Sequence, residues 1–151
     1  MHNSTMQVRR LEANEVKPLR HLVLWPHIER VEDCILAIDG LPETMHMGAE
    51  VNGEICSIGT FYPESSPKVN AHAPYRLRAM ATHPDFRRQH MGERLIREAL
   101  EELQHQGADV LWCDARLKAV PFYASLGFQA LPEVYDVPNI GPHQFMWIHI
   151  K

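Results

Sequence analysis

The stretch from Met91 to Leu103 constrains the fold of this chain more than any other. Met91, Leu95, Ile96, Ala99, Leu100 and Leu103 recur at three- and four-residue spacing, which places them on one stripe of a helix that lies against a larger apolar surface. The outer face pairs Glu93 with Arg97 and Arg94 with Glu98 at i, i+4, and such pairs support a helix. Gly107 supplies its stop. On either side the apolar period becomes that of a strand, over residues 75–82 before it, ended by Pro84, and over the short run 110–113 after it. A helix with one apolar stripe, set between strands, buries that stripe on a sheet.

The rest of the chain adds strands to that sheet. Residues 44–51 and 55–61 read as strands joined by Asn52-Gly53, a dipeptide suited to the positive φ values of a two-residue hairpin turn. Met6, Val8 and Leu11 nearly alternate with polar residues and predict a first strand, with Asn14 as the N-cap of a helical segment after it. Val16, Leu19, Leu22 and Val23 then predict that helix, in which Pro18 is tolerated only near the start. Cys34 to Ile38 is apolar and predicts a further helical or strand piece. Residues 63–74, with three prolines, read as a loop. Residues 119–126 read as a short helix with Pro121 in its first turn and Gly127 at its end. Strands are expected around Val134 and from Phe145 to Ile150. The order predicts a mixed sheet with helices packed on it, built as one domain over residues 1–151.

Composition narrows the function. The chain has 151 residues, 45% of them hydrophobic, and a net charge of -4, enough apolar residues for a real core. No concentration of Lys and Arg marks a nucleic-acid surface. Cys34, Cys56 and Cys113 are odd in number and form no C-x-x-C pair, as expected of reduced thiols in a cytoplasmic protein. No stretch approaches the roughly 20 apolar residues of a membrane helix, and Met1 to Asn14 lack the apolar core of a signal peptide. The thirteen His and Cys residues include no two pairs at ligand spacing, so no metal is expected.

Chemistry enters at the turn before the central helix. Arg87, Arg88, Gln89, His90, Met91 and Gly92 join the strand to the helix start. Free N–H groups and the helix dipole favour an anion there, a glycine permits close approach, and the arginines add charge-assisted hydrogen bonds.

The run from Phe86 to Gly92 resembles the acetyl-CoA loop of the GNAT superfamily of N-acetyltransferases: Gln or Arg, two residues, Gly, one residue, then Gly or Ala. Arg87 and Gly92 match its ends, while His90 stands where the family usually has its first glycine. Ala119, Phe122 and Tyr123, followed by Gly127 and Phe128, are similar to the second family signature. The segment from Glu133 to His143 is similar to a Gly-Ile-Pro-His or Gly-Pro-His segment in a bacterial branch of the family, which also tends to carry a histidine on its second strand, where this chain has His46.

The resemblance implies a mixed, mostly antiparallel α/β (α+β) sheet with a splayed central parallel strand pair and helices on both faces. It implies acetyl-CoA as cosubstrate and a primary amine of a small molecule or peptide as acceptor, attacking directly in a ternary complex. The pyrophosphate would lie on residues 87–92 and the pantetheine arm along the backbone of Met80, Ala81 and Thr82, near Asp114, Arg116 and Phe122. The Met80 N–H would polarise the thioester carbonyl, and Tyr123 would protonate the departing sulfur. No carboxylate occupies the start of the strand at residues 75–78, so the base is sought among Glu50, Asp114, His46 and His143, with His46, Glu50 and His143 on the acceptor side. Arg76 and Arg78 alternate on that strand, as solvated residues or as a preference for an acidic acceptor. C-terminal strands of the superfamily often pair between subunits, which implies a homodimer. A non-catalytic acyl-CoA-binding module is the alternative on the same resemblance.

Overall fold

The computed structural model describes residues 5–151. Seven strands form one sheet in the order β1-β2-β3-β4-β5-β7-β6: β1 (Met6–Leu11), β2 (Met45–Val51), β3 (Glu54–Pro63), β4 (Pro74–Thr82), β5 (Val110–Arg116), β6 (Gln129–Val137) and β7 (Gly141–His149). Every neighbouring pair is antiparallel except β4 and β5. The β2–β3 turn has Asn52 at φ 51° and Gly53 at φ 86°, as its two residues predict.

The first helical segment runs through a 3-10 turn (Ala13–Val16), α1 (Lys17–Leu19) and a π turn (Arg20–Leu24). Its start is held by Glu15, whose carboxylate accepts the Glu12 N–H at 2.7 Å. Asn14 lies inside the first turn and is not the cap. The central helix α2 (Met91–His105) buries Met91, Leu95, Ile96, Ala99 and Leu103, and each fully buried Leu or Ile stabilises the fold by about 1.5–3 kcal/mol. The helix α3 (Val120–Ser125) comes next, with Pro121 near its start. The two largest apolar clusters lie on opposite sides of the sheet. Leu95, Ile96 and Leu103 meet Met47, Phe61, Leu77, Tyr123 and Met146 under α2 and α3, while Val16 and Leu19 meet Leu11, Ile58 and Ala81 under α1.

The run Cys34 to Ile38 is an irregular segment leading into a turn, not a helix or strand. The reason lies in a buried ion pair. Arg20 has no exposed surface, and it donates to both carboxylate oxygens of Asp39 at 2.6 and 2.9 Å, to the Cys34 carbonyl and to Thr60 Oγ1. Asp39 also accepts the Leu36 N–H at 2.9 Å. This segment therefore satisfies its polar groups by wrapping around a charge pair.

Two features position the site. First, β4 pairs with β5 only through Pro74–Val110, Tyr75–Leu111 and Arg76–Trp112, although both strands run on, so their facing backbone edges separate into a V. Second, β4 is bulged opposite β3: Thr60 pairs with Arg78 and Ile58 with Ala81, so Gly59 faces both Ala79 and Met80. Ala79 takes φ 55° to accommodate the extra residue. A bulge bends its strand and re-aims the residues beyond it. Leu77 and Met80 pack toward the α2 core, and Ala81 packs toward α1.

Candidate active site

A cleft of about 540 Å³ opens in the V between β4 and β5. Arg78, Met80, Ala81 and Thr82 line one wall, Asp114 and Arg116 the other, with Arg87 and Tyr123 toward α2 and α3. Val23, Leu24 and Trp25 from the first helical segment, and Val137, Ile140 and His143 from the β6–β7 hairpin, complete it.

The start of α2 has the geometry of an anion site. The first intrahelical bond runs from the Arg94 N–H to the His90 carbonyl, so the N–H groups of Met91, Gly92 and Glu93 precede the ladder. His90 takes φ 62° and Arg88 φ 66°. A glycine adopts that left-handed conformation freely, and histidine adopts it more readily than most residues. The His90 side chain is 83% exposed and reaches the Glu93 carboxylate at 3.4 Å, which carries its ring into solvent. Gly92 is buried, and a Cβ there would lie 3.1 Å from Met80 Cε and 3.2 Å from Phe122 Cζ. Phe122 thus seats α3 against the first turn of α2.

Tyr123 is buried between Phe122 and Phe128, with ring centroids at 5.1 and 5.3 Å. Burial, with a smaller contribution from Cys113, pushes its phenol well above the ordinary value, so the hydroxyl keeps its proton. Asp114 accepts Arg76 at 2.8 Å and the Tyr135 hydroxyl. Arg76 also donates to Glu64 at 2.9 Å, and its guanidinium lies 4.8 Å from the Trp112 ring centroid. It is therefore a paired residue; Arg78 is the exposed one.

The four residues weighed as bases separate clearly. Glu50 lies off the cleft and accepts Arg9 at 2.9 Å. His46 is buried off the cleft as well: its Nε2–H donates to the Asp39 carbonyl at 3.1 Å and its Nδ1 accepts Thr60 Oγ1 at 2.9 Å. No ring nitrogen is left free. Asp114 is shared between Arg76 and Tyr135. His143 lines the cleft, and its Nδ1–H donates to the Gly141 carbonyl at 2.7 Å. A carbonyl can only accept, so the neutral ring carries its proton on Nδ1 and its lone pair on Nε2.

Among the described residues, no three His, Cys, Asp or Glu side chains gather as a cation site, and no helix is long and apolar enough to cross a membrane.

A strand pair splayed at its centre, a bulge at the mouth of the splay and a basic turn at a helix start form an open cleft whose shape and charge suit an extended, anionic ligand. The chain belongs to the acetyltransferase (GNAT) family, whose family model matches residues 10–128. It is 34% identical over 142 residues to the uncharacterized N-acetyltransferase YitI of Bacillus subtilis (strain 168), covering 94% of this chain and 95% of that one. Among solved structures it is similar to an aminoglycoside 6'-N-acetyltransferase complexed with coenzyme A, with a TM-score of 0.77, 14% identity and coverage of 96% and 97%. It is also similar to the ribosomal-protein-S18-alanine N-acetyltransferase from Escherichia coli, with a TM-score of 0.71, 18% identity and coverage of 97% and 95%. This protein is an acetyltransferase and uses acetyl-CoA as its cosubstrate.

Proposed function

We propose that the protein acetylates a primary amine of a small molecule or peptide by direct attack in a ternary complex. The observation that carries this reading is the shared cleft of Met80, Tyr123 and His143 in the β4–β5 splay. Acetyl-CoA supplies the activated acetyl group. Residues 87–92 hold its pyrophosphate through the free N–H groups of α2, the helix dipole and Arg87 and Arg88, with Gln89 and Met91 in the same turn. The unpaired edge of Met80, Ala81 and Thr82 receives the pantetheine amides, opposite Asp114 and Arg116. The Met80 N–H, aimed by the bulge at Ala79, stabilises the negative charge that develops on the carbonyl oxygen.

His143 is the base in this reading, through Nε2, because it lines the cleft with an uncommitted ring nitrogen, whereas both oxygens of Asp114 already accept from Arg76 and Tyr135. Tyr123 donates its proton to the departing sulfur. Homodimerisation through the outer edge of β6, where Val134 is 53% exposed, belongs to the same reading. The direct test is initial-rate kinetics of thiol release with both substrates varied: intersecting lines support a ternary complex, and parallel lines refute direct attack.

Two substitutions test the cofactor placement. Gly92→Leu forces the first turn of α2 away from Met80 and Phe122, and the acetyl-CoA Kd is expected to rise about tenfold, or 1.4 kcal/mol. Undiminished affinity in calorimetry refutes the pyrophosphate placement. His90→Gly is expected to bind acetyl-CoA as well as the wild type, because the His90 ring already points to solvent. His90→Val places a β-branched residue at φ 62°, at a cost of about 1–2 kcal/mol, and both Tm and affinity are expected to fall. Equal behaviour of the two variants overturns this role for position 90.

A further inference from the structure

Beyond the acetyl donor, the charges of the cleft bear on its acceptor. The lining holds five cations, Arg76, Arg78, Arg87, Arg116 and Lys118, against the single carboxylate of Asp114. Arg76 is neutralised by Asp114 and Glu64 at 2.8 and 2.9 Å. Arg87 lies in the turn that the acetyl-transfer reading gives to the donor, and Lys118 lies in the 3-10 turn before α3. Arg78 and Arg116 remain. Among the described residues neither makes an ion pair.

Their placement is specific. Arg78 immediately precedes the bulge and is two residues from the Met80 amide, a backbone distance of roughly 7 Å. Arg116 pairs with His143 across β5 and β7, and residues directly opposite in an antiparallel ladder send their side chains to the same face. Alternation along β5 puts Asp114 on that face too, and the Arg76–Asp114 contact joins it to the face of β4 that carries Arg78. Two unpaired guanidinium groups therefore flank the base and the oxyanion donor, on the side away from the α2 core. Trp25 and the apolar pair Val137 and Ile140 close the chamber around them.

We infer that the acceptor carries a carboxylate as well as its amine, as a free amino acid does, and that Arg78 and Arg116 bind that carboxylate while His143 faces the amine. A guanidinium matches a carboxylate through two parallel N–H donors. The inference rests on the acetyl-transfer reading of this same cleft and adds the acceptor class to it.

The test compares amino acids with their own α-amides and with the matching decarboxylated amines, using thiol release at saturating acetyl-CoA. A second readout needs no turnover: calorimetric titration of N-acetylated amino acids and their amides into the protein–CoA complex. The carboxylates are expected to exceed the amides about 10- to 100-fold in kcat/KM and in affinity. Arg78→Gln should remove most of that advantage through KM while changing little for the amides, and Arg78→Lys should restore it only in part. Equal amides and acids, or variants that weaken both alike, overturn the inference. So does failure of the acetylated acids to bind when no acceptor turns over. If uncharged amines are the better acceptors, acetyl transfer stands and only the carboxylate assignment falls. If the wild type binds CoA but releases no thiol with any amine, the acetyl-transfer reading is what fails.

Discussion

Replacing Tyr123 by Phe is expected to lower kcat by about 100-fold or more while acetyl-CoA affinity stays near the wild-type value. The expectation rests on what the substitution keeps and what it removes. The ring is held by Phe122 and Phe128, and phenylalanine retains both contacts and the burial. Only the hydroxyl is lost. Because burial keeps the phenol protonated well beyond its ordinary range, the wild-type hydroxyl stays in its acid form across the pH range in which an ordinary tyrosine begins to ionise. Ionisation of Tyr123 therefore contributes no alkaline decline of kcat in that range. Single-turnover rates separate the chemical step from product release. An unchanged chemical rate in a folded Tyr123→Phe variant removes Tyr123 as the general acid.

Much of the framework is legible in the sequence because its signals are local. The stripe on α2, the Asn52-Gly53 turn, the Pro121 start of α3 and the Gly107 stop each depend on a few adjacent residues. The β4 edge at the splay is different. Nothing in the side chains of Ala79 and Met80 announces a bulge, since the feature lies in the backbone and in the partner strand, where Gly59 faces two residues instead of one. The splay of β4 from β5 is likewise expected from family resemblance and not from periodicity. Residue type favours Asn14 as a cap, but the Glu12–Glu15 contact satisfies the chain end instead. Long-range pairing decides the remaining positions. His46 and Glu50 sit on β2 with the right chemistry, yet Thr60 and Asp39 engage both nitrogens of the first, and Arg9 neutralises the second. Arg76 and Arg78 look equivalent in sequence. Only the fold gives Arg76 its two carboxylates and leaves Arg78 alone.

The same non-local logic makes Asp39 the position where a single substitution is expected to destabilise the fold most. Asp39→Ala leaves the Arg20 guanidinium, whose side chain has no exposed surface, buried without its counter-charge. Removing one partner of such a pair costs about 3–5 kcal/mol, because the remaining charge is neither paired nor hydrated. For a chain of this size that corresponds to a fall in Tm of roughly 10 °C or more. Burial by itself would raise the Asp39 carboxyl, but the hydrogen bonds from Arg20 and from the Leu36 N–H, with the nearby charges, outweigh it and hold the group below its ordinary value. A depressed folded-state pKa gives stability that is fully present above the unfolded carboxylate's value of about 3.9 and is lost as pH falls through the folded value. The wild type should therefore lose this contribution only under strongly acid conditions, and the Asp39→Ala variant, already without it, should show a shallower acid decline. The double variant Arg20→Met, Asp39→Leu separates charge from packing, since it removes both ions and is expected to recover most of the lost Tm. The effect also reaches the cleft. Arg20 lies 5.7 Å from the Trp25 ring centroid, and Trp25 lines the cleft, so on the proposed reading Asp39→Ala should raise the acceptor KM at temperatures where the variant remains folded. A Tm within about 2 °C of the wild type would show that Arg20 finds another partner and that the pair is not what organises residues 34–39.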